Sequence, residues 1–332
     1  MTEWEQIIDA WQIPTWEIYR DVPRLGRRIR LSEGLRQVAW EIFFQVLQEL
    51  RRRVLITRAG LFTRLAAELR KSGNVPFDFV VVDEAQDIGI AQLRFLASLG
   101  ASVPNRLFFA GDLGQRIFQP PFSWKSLGVD VRGRSQTLHV NYRTSHQIRA
   151  QADRLLAPEL ADVDGIAEPR KGTVSLFNGP QPVIVVAPTP EAECAAVAEW
   201  LKQRTQEGVL PHEIGVFVRS AAQMDRARAA VAAAGLPCKV LDEYVDTTSG
   251  YASIGTMHLA KGLEFRTVVV MACDDDVIPL QERIETVADE SDLEEVYNTE
   301  RQLLYVACTR ARDHLLVTGA GAGSEFLDDL QV

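Results

Sequence analysis

The sequence predicts an α/β protein built on parallel sheets. Three observations carry this. From Val54 onward, short apolar runs alternate with stretches of helical periodicity. The runs are the length of strands, at 79–82, 107–110, 183–187, 214–218, 267–271 and 314–318. Between them lie segments such as EAECAAVAEWLKQR and SAAQMDRARAAVAAAG, the second closing on Gly235, a residue suited to the left-handed turn after a helix.

The elements follow in chain order. Residues 1–53 read as helical and tryptophan-rich, with basic runs in YRDVPRLGRRIR and at Arg51, Arg52 and Arg53. A run of this kind more often forms a solvated face than a binding patch. A first strand-bearing segment is expected over 54–156 and a second over 172–332. The polar, proline-containing stretch APELADVDGIAEPRKG serves as the linker. A chain of 332 residues is long enough for about two domains. Its 46% hydrophobic and 24% charged residues are ordinary for a soluble protein, and no apolar run approaches the ~18 residues of a membrane span. MTEWEQIIDAW lacks the basic-then-apolar layout of a secretory signal, so a cytoplasmic location is expected. The four cysteines, Cys194, Cys238, Cys273 and Cys308, include no CxxC pair and are expected as buried, reduced thiols. A net charge of −9 gives no overall attraction to nucleic acid, so any such contact must be local.

Several strand candidates end on chemistry. FDFVVVDEAQD runs a strand into Asp83 and Glu84, and ligands of parallel sheets gather beyond the carboxyl ends of strands. An Asp there can hold Mg²⁺, and a neighbouring Glu can orient or deprotonate a water that attacks a phosphoryl group. A solvated acidic turn is the alternative. RLFFAGD ends on Asp112 and continues into LGQRIF, placing Gln115 where it can hydrogen-bond a phosphate without adding negative charge. LHVNYRTS sets Tyr142 beside Arg143, a π-face next to a cation. IGTMHLAKGLEF offers Thr256, His258, Lys261 and Glu264 before a buried strand, and LLYVACTRAR presents Arg310 and Arg312 after an apolar helical run. Taken singly, these read equally as a capping threonine, a core-edge histidine and arginines closing a helix.

In that order, DEAQD, GDLGQRIF, LHVNYRTS, GTMHLAKGLEF and LLYVACTRAR resemble motifs II, III, IV, V and VI of superfamily 1 DNA helicases of the UvrD, Rep and PcrA type. The resemblance implies two RecA-like domains of the P-loop NTPase type, the first incomplete, behind a helical N-terminal subdomain at 1–53. It implies ATP and Mg²⁺ as cofactors and single-stranded DNA as partner, with ATP-driven translocation in the 3′ to 5′ direction. It places Asp83 on the metal and Glu84 on the attacking water. Gln115 and Arg143 would meet the γ-phosphate, and Arg310 would reach across as an arginine finger. Tyr142 would stack on adenine and Glu264 would bind the ribose. Thr256 and His258 would touch the strand, and Trp124 would stack on a base, with Phe118 or Phe122 able to serve instead.

Two departures accompany the resemblance. The family's phosphate cradle, GxxxxGK[ST], is missing: none of Lys71, Lys125, Lys171, Lys202, Lys239 and Lys261 has that glycine frame. The chain is therefore expected to begin partway through the first domain of a longer helicase. The alternatives are one half of a split helicase whose partner supplies the loop, and an ATPase-inactive DNA-binding or scaffold module. The second departure is the stretch of 33 residues between Ser220 and Ile254, which holds a helix and a short strand rather than an inserted subdomain.

Overall fold

A computed structural model describes residues 3–22, 32–101, 103–119, 121–165, 167–169, 172–242, 249–285 and 290–331. Most of the basic stretch around 19–30 lies outside the described residues. By its internal contacts the chain forms two compact units. Unit 1 is Met1–Gln136 with Ala161–Ala167 and Ala288–Asp292; unit 2 is the remainder.

Unit 1 opens with helical turns at Trp4–Asp9, then α1 (Trp16–Asp21), α2 (Glu33–Arg52) and α3 (Arg58–Ser72). Ser32 caps α2 by accepting the Leu35 N–H, Thr57 caps α3 through Gly60 N–H, and Gly73 closes α3 at φ +62°. The tryptophans explain why the N-terminal helices hold together. Ile7, Ile8, Ile13, Tyr19 and Trp40 form a buried cluster, ringed by Trp4, Trp11, Trp16 and Phe43. Beyond α3 come β1 (Val80–Val82), α4 (Ile90–Gly100) and β2 (Leu107–Phe109). The two strands pair in parallel, with Val82 opposite Phe109, and a core of Ala85, Ile88, Leu93 and Val129 packs beside them.

In chain order, unit 2 and the passages into it add β3 (Val140–Asn141), α5 (His146–Ala152), a short ribbon of β4 (Glu159–Ala161) with β5 (Ala167–Pro169), and β6 (Val174–Ser175). The principal elements follow: β7 (Val183–Ala187), α6 (Pro190–Gln206), β8 (Ile214–Val218), α7 (Met224–Ala233), β9 (Cys238–Val240), β10 (Ala252–Thr256), β11 (Phe265–Val270), α8 (Gln281–Glu285), α9 (Glu290–Cys308), β12 (Ala311–Ala320) and α10 (Glu325–Gln331). Six strands form one sheet in the order β7-β12-β11-β8-β10-β9, and every neighbouring pair is parallel. The α/β class expected from the sequence is present. All five residues of β8 are buried, as a central strand covered on both faces requires. Val197 and Leu201 of α6 and Ala227, Ala230 and Val231 of α7 pack on Val216, Ile254 and Val269 of the sheet.

Two expectations shift. The first segment was expected to run to 156, yet Thr137–Leu160 groups with unit 2. The cause is bonding into that unit: Ser145 N–H reaches Arg312 O at 3.1 Å, His146 N–H reaches Phe177 O at 3.0 Å, and the Thr144 hydroxyl donates to Thr309 O at 3.3 Å. All four cysteines are free thiols, but Cys194 and Cys238 are only half-buried, while Cys273 and Cys308 are fully buried. Burial pushes the Cys308 thiol up to about 12. Between Ser220 and Ile254 the described residues form α7 and β9, in keeping with a helix and a short strand; 243–248 lie outside the description. No helix among the described residues is long and apolar enough to cross a membrane.

A buried carboxylate ties α6 to the sheet. Glu193 is fully buried and accepts the Ala272 N–H at 2.9 Å and the Thr318 hydroxyl at 2.6 Å. It pairs with Arg226 of α7, which also holds Asp274, and Asp274 accepts the Ala320 N–H at 2.6 Å. Replacing Glu193 by Leu leaves a buried guanidinium with half its countercharge and two orphaned donors. Urea unfolding should show a loss of about 3–5 kcal/mol. A loss below about 1 kcal/mol would mean that the network adds nothing to the packing around it.

Candidate functional site

In unit 1 the two parallel strands deliver their ends side by side. Ala110 N–H bonds Val82 O and Ala85 N–H bonds Ala110 O, both at 2.8 Å, so Asp83 and Asp112 leave the ladder together. Asp83 accepts the Glu84 N–H at 2.8 Å, and Glu84 sits at φ +50°, ψ 42°, a left-handed conformation that costs energy for a residue with a side chain. Gln86, nearly buried, joins the two strand ends. Its amide N–H donates to Glu84 Oε2, and its carbonyl accepts the Asp112 N–H at 3.0 Å. Gly111 makes that bridge fit, because a Cβ there would lie 2.5 Å from Gln86 Oε1. Asp112 in turn accepts Gly114 N–H at 2.8 Å through Oδ1 and the Gln115 amide at 2.9 Å through Oδ2. Asp83, Glu84, Asp112 and Gln115 thus belong to one bonded chain, in which sequence reasoning gave Gln86 no part.

The aromatic residues that follow are arranged differently from expectation. Trp124 is half-buried and meets the Phe109 ring edge-on at a centroid distance of 4.9 Å, within the core of unit 1. Phe122 packs against the same core. Phe118 is the exposed aromatic of this stretch, at 50%. Phe118 is thus the more exposed of the candidate stacking rings, while Trp124, the residue expected to stack, keeps part of its surface open beside Phe109.

In unit 2, Asn141 shapes the turn that presents the next pair. Its side-chain oxygen accepts the Arg143 N–H at 2.9 Å, a local turn that substitutes for backbone pairing. Tyr142 is left 70% exposed, and Arg143 pairs with Glu264 at 3.2 Å. The structure therefore brings together Tyr142, Arg143 and Glu264. Arg310, expected as a finger, is 1% exposed here, and its Nε donates to Val306 O at 3.0 Å while Nη1 lies 3.4 Å from Leu263 O. It clamps the end of α9 to the loop before β11, and Arg312 is the half-exposed arginine of that segment.

Thr256 ends β10, and His258 follows in a short helical turn anchored by the buried Met257 and Ala260. Behind it stands an ion-pair network that the sequence did not disclose. Glu300 of α9, fully buried, accepts both Arg219 Nε at 2.5 Å and Nη2 at 2.6 Å, and also Arg283 Nη1 at 2.9 Å. Burial pushes the Glu300 carboxyl up, but the hydrogen bonds and charge of Arg219, with Arg283, outweigh it and hold the group below the usual range. Burial, and then the charge of Arg219, push His258 from its ordinary 6.5 to about 4, so its imidazole is neutral near pH 7.

Residues 247–321 match the family model of the UvrD-like helicase C-terminal domain. ATP-dependent DNA helicase UvrD1 of Mycobacterium leprae (strain TN) is 38% identical over 24% of this chain and 9% of its own length. A protein of Mycoplasma pneumoniae (strain ATCC 29342 / M129 / Subtype 1) named "Probable DNA helicase" is 26% identical over 78% of this chain and 46% of its own. The chain thus spans less than half the length of either relative. The solved C-terminal domain of a possible DNA helicase from Lactobacillus plantarum WCFS1 aligns at 24% identity and a TM-score of 0.40, over 57% of this chain and 93% of that one. The segment that carries Thr256, His258, Glu264 and Arg310 is thus similar to the UvrD-like helicase C-terminal domain.

Proposed function

We propose that this chain is part of an ATP-driven motor that translocates 3′ to 5′ on single-stranded DNA. The observation that carries the reading is the bonded chain Glu84–Gln86–Asp112–Gln115 at two parallel strand ends, in a protein whose residues 247–321 match the UvrD-like helicase C-terminal domain. The oxygen donors Asp83 and Glu84 suit Mg²⁺, a hard cation that takes one or two carboxylates and completes its shell with water and phosphate oxygens. When bound, the metal would polarise the phosphates. Asp83 would hold it, and Glu84 would take the proton of the attacking water. Gln86 keeps Glu84 aimed by donating to its Oε2, and Gln115 lies within reach of the same Asp112 carboxylate. Tyr142 offers an exposed ring to the base, and Glu264, fixed by Arg143, offers its carboxylate to the ribose. Thr256 and His258 bind the strand, and Phe118 stacks on a base.

A specific observation favours a narrower statement about this chain alone. None of its six lysines follows a glycine, so under this reading the cradle for the β- and γ-phosphates would be supplied by a segment or partner other than these residues. The purified chain is then expected to show only background ATP hydrolysis with single-stranded DNA. Once the cradle is supplied, Glu84→Gln should lower kcat by about 10²–10⁴ with little change in KM. Robust turnover by the chain alone, abolished by Glu84→Gln, would show that the catalytic set is complete without the cradle.

The aromatic assignment separates by two measurements. Phe118→Ala should weaken binding of a dT oligonucleotide by about 1–3 kcal/mol and leave unfolding nearly unchanged. Trp124→Ala should cost about 3–5 kcal/mol of stability, as removal of a core aromatic does. The reverse pattern would return the stacking role to Trp124.

His258 sets a pH signature. Its folded value of about 4 lies below the ordinary 6.5, so the unfolded chain binds the proton first as pH falls. Its contribution to stability is complete above pH 6.5 and is lost progressively toward about pH 4. His258→Gln should flatten the acid limb of a thermal-melting profile in that window. Strand affinity, if the contact is a neutral imidazole, should change little between about pH 5.5 and 8; a steep rise toward pH 6 would show a cationic contact instead.

A further inference from the structure

One face of the two-stranded sheet in unit 1 lies open. Side chains alternate along a strand, so Val80 and Val82 of β1 point to one side and Val81 to the other. The first side is filled: Val82 and Phe109 pack on the core of Ala85, Ile88, Leu93 and Val129, to which α4 contributes Leu93. On the second side Val81 is 73% exposed, and Phe108, directly opposite it in the parallel register, is 62% exposed. Phe79, two positions before Val81, adds a third apolar group at 77%. Parallel strands are ordinarily covered on both faces, and a contiguous exposed apolar patch marks an interaction surface.

The edges of the pair are open as well. Among the described residues, β1 and β2 pair only with each other. Val80 N–H bonds Arg106 O at 2.9 Å and Ala110 N–H bonds Val82 O at 2.8 Å, so Val80 and Val82 spend backbone groups on β2. Those of Val81, which alternates with them, face the outer edge. An apolar face combined with open backbone edges fits a polypeptide segment whose strand extends the ladder and whose helix lays an apolar stripe over Phe79, Val81 and Phe108. A second copy stacked through its own open face would cover the rings and leave the edges bare.

Direction decides where such a segment would end. A strand added parallel to β1 and β2 finishes at the edge where Asp83 and Asp112 leave the ladder, and the loop after it would stand beside them. In both helicase relatives described above, more than half of the chain lies outside the match, ample length for a segment of this kind.

We propose that the open face and edges of β1 and β2 are a protein interface, and that its occupant is a strand–loop–helix segment from another stretch of polypeptide, whose loop is the phosphate cradle. The identity of that loop rests on the proposed function; the face and the edges do not.

The test mixes the full chain with a separately expressed strand–GxxxxGK[ST]–helix segment of a UvrD-like helicase. Affinity is read by titration calorimetry and amide hydrogen exchange in peptides covering 77–82 and 106–110, for wild type, Val81→Asp and Phe108→Asp. Both positions are exposed, so each variant should melt close to wild type. The segment should slow exchange in both peptides, and each aspartate should weaken its binding about tenfold. Binding that neither substitution weakens would overturn the face. No complex, with both peptides exchanging as in the chain alone, would overturn the interface. Sedimentation of the chain alone adds a further arm: a dimer that Val81→Asp dissociates would overturn the assigned occupant in favour of a second copy. Docking that protects both peptides without any single-strand-stimulated ATP hydrolysis would support the interface and overturn the catalytic reading instead.

Discussion

The parallel direction of the six strands in unit 2 is the constraint on which its chemistry depends. With every strand running the same way, every strand ends at the same edge, and the chain must cross back through helices to begin the next. Residues far apart in sequence are thereby delivered to one place. Arg219 after β8 and His258 after β10 become neighbours because the register sets Val218 opposite Thr256. The same logic operates on two strands in unit 1, where the ends of β1 and β2 release Asp83 and Asp112 together. There the backbone ladder supplies only proximity, and the side chain of Gln86 supplies the link.

Unit 2 uses two buried carboxylates, each tied to arginine, in different ways. Glu193 spends its oxygens on a backbone N–H, a hydroxyl and Arg226, and Asp274 balances the remaining charge on that arginine. Two carboxylates and one guanidinium, closed by backbone donors, make a support for α6, α7 and the strand ends. Around Glu300 the stoichiometry is inverted: two guanidinium groups meet one carboxylate, and one of them reaches the surface.

The sequence made much of the architecture legible where local signals agreed. The bounds of β7 and β8 match the expected runs residue for residue, because each is a compact apolar stretch closed by turn residues. Gly235 lies at φ +76° just beyond α7, as its place at the end of that helical pattern implied. What was not legible depends on partners distant in the chain. The division near Gln136 follows from bonds of Thr144, Ser145 and His146 to residues 177, 309 and 312, which no local pattern announces. The sequence favours Trp124 for stacking on a base, with Phe118 or Phe122 able to serve instead, and only packing shows that Trp124 is half-buried against Phe109 while Phe118 is the more exposed ring. Arg310 reads as a surface cation at a helix end, yet backbone carbonyls of Val306 and Leu263 satisfy it inside the unit.

The neutral state of His258 follows from its surroundings, because burial and the charge of Arg219 both disfavour the imidazolium. A protonated imidazole would stand near Arg219 and Arg283 in partly desolvated surroundings, where like charges repel strongly. Keeping His258 neutral reduces that repulsion and leaves an N–H donor whose strength does not vary near pH 7. The acidic balance of the whole chain, −9, gives no overall attraction to nucleic acid, so under the proposed function any contact with a strand is local.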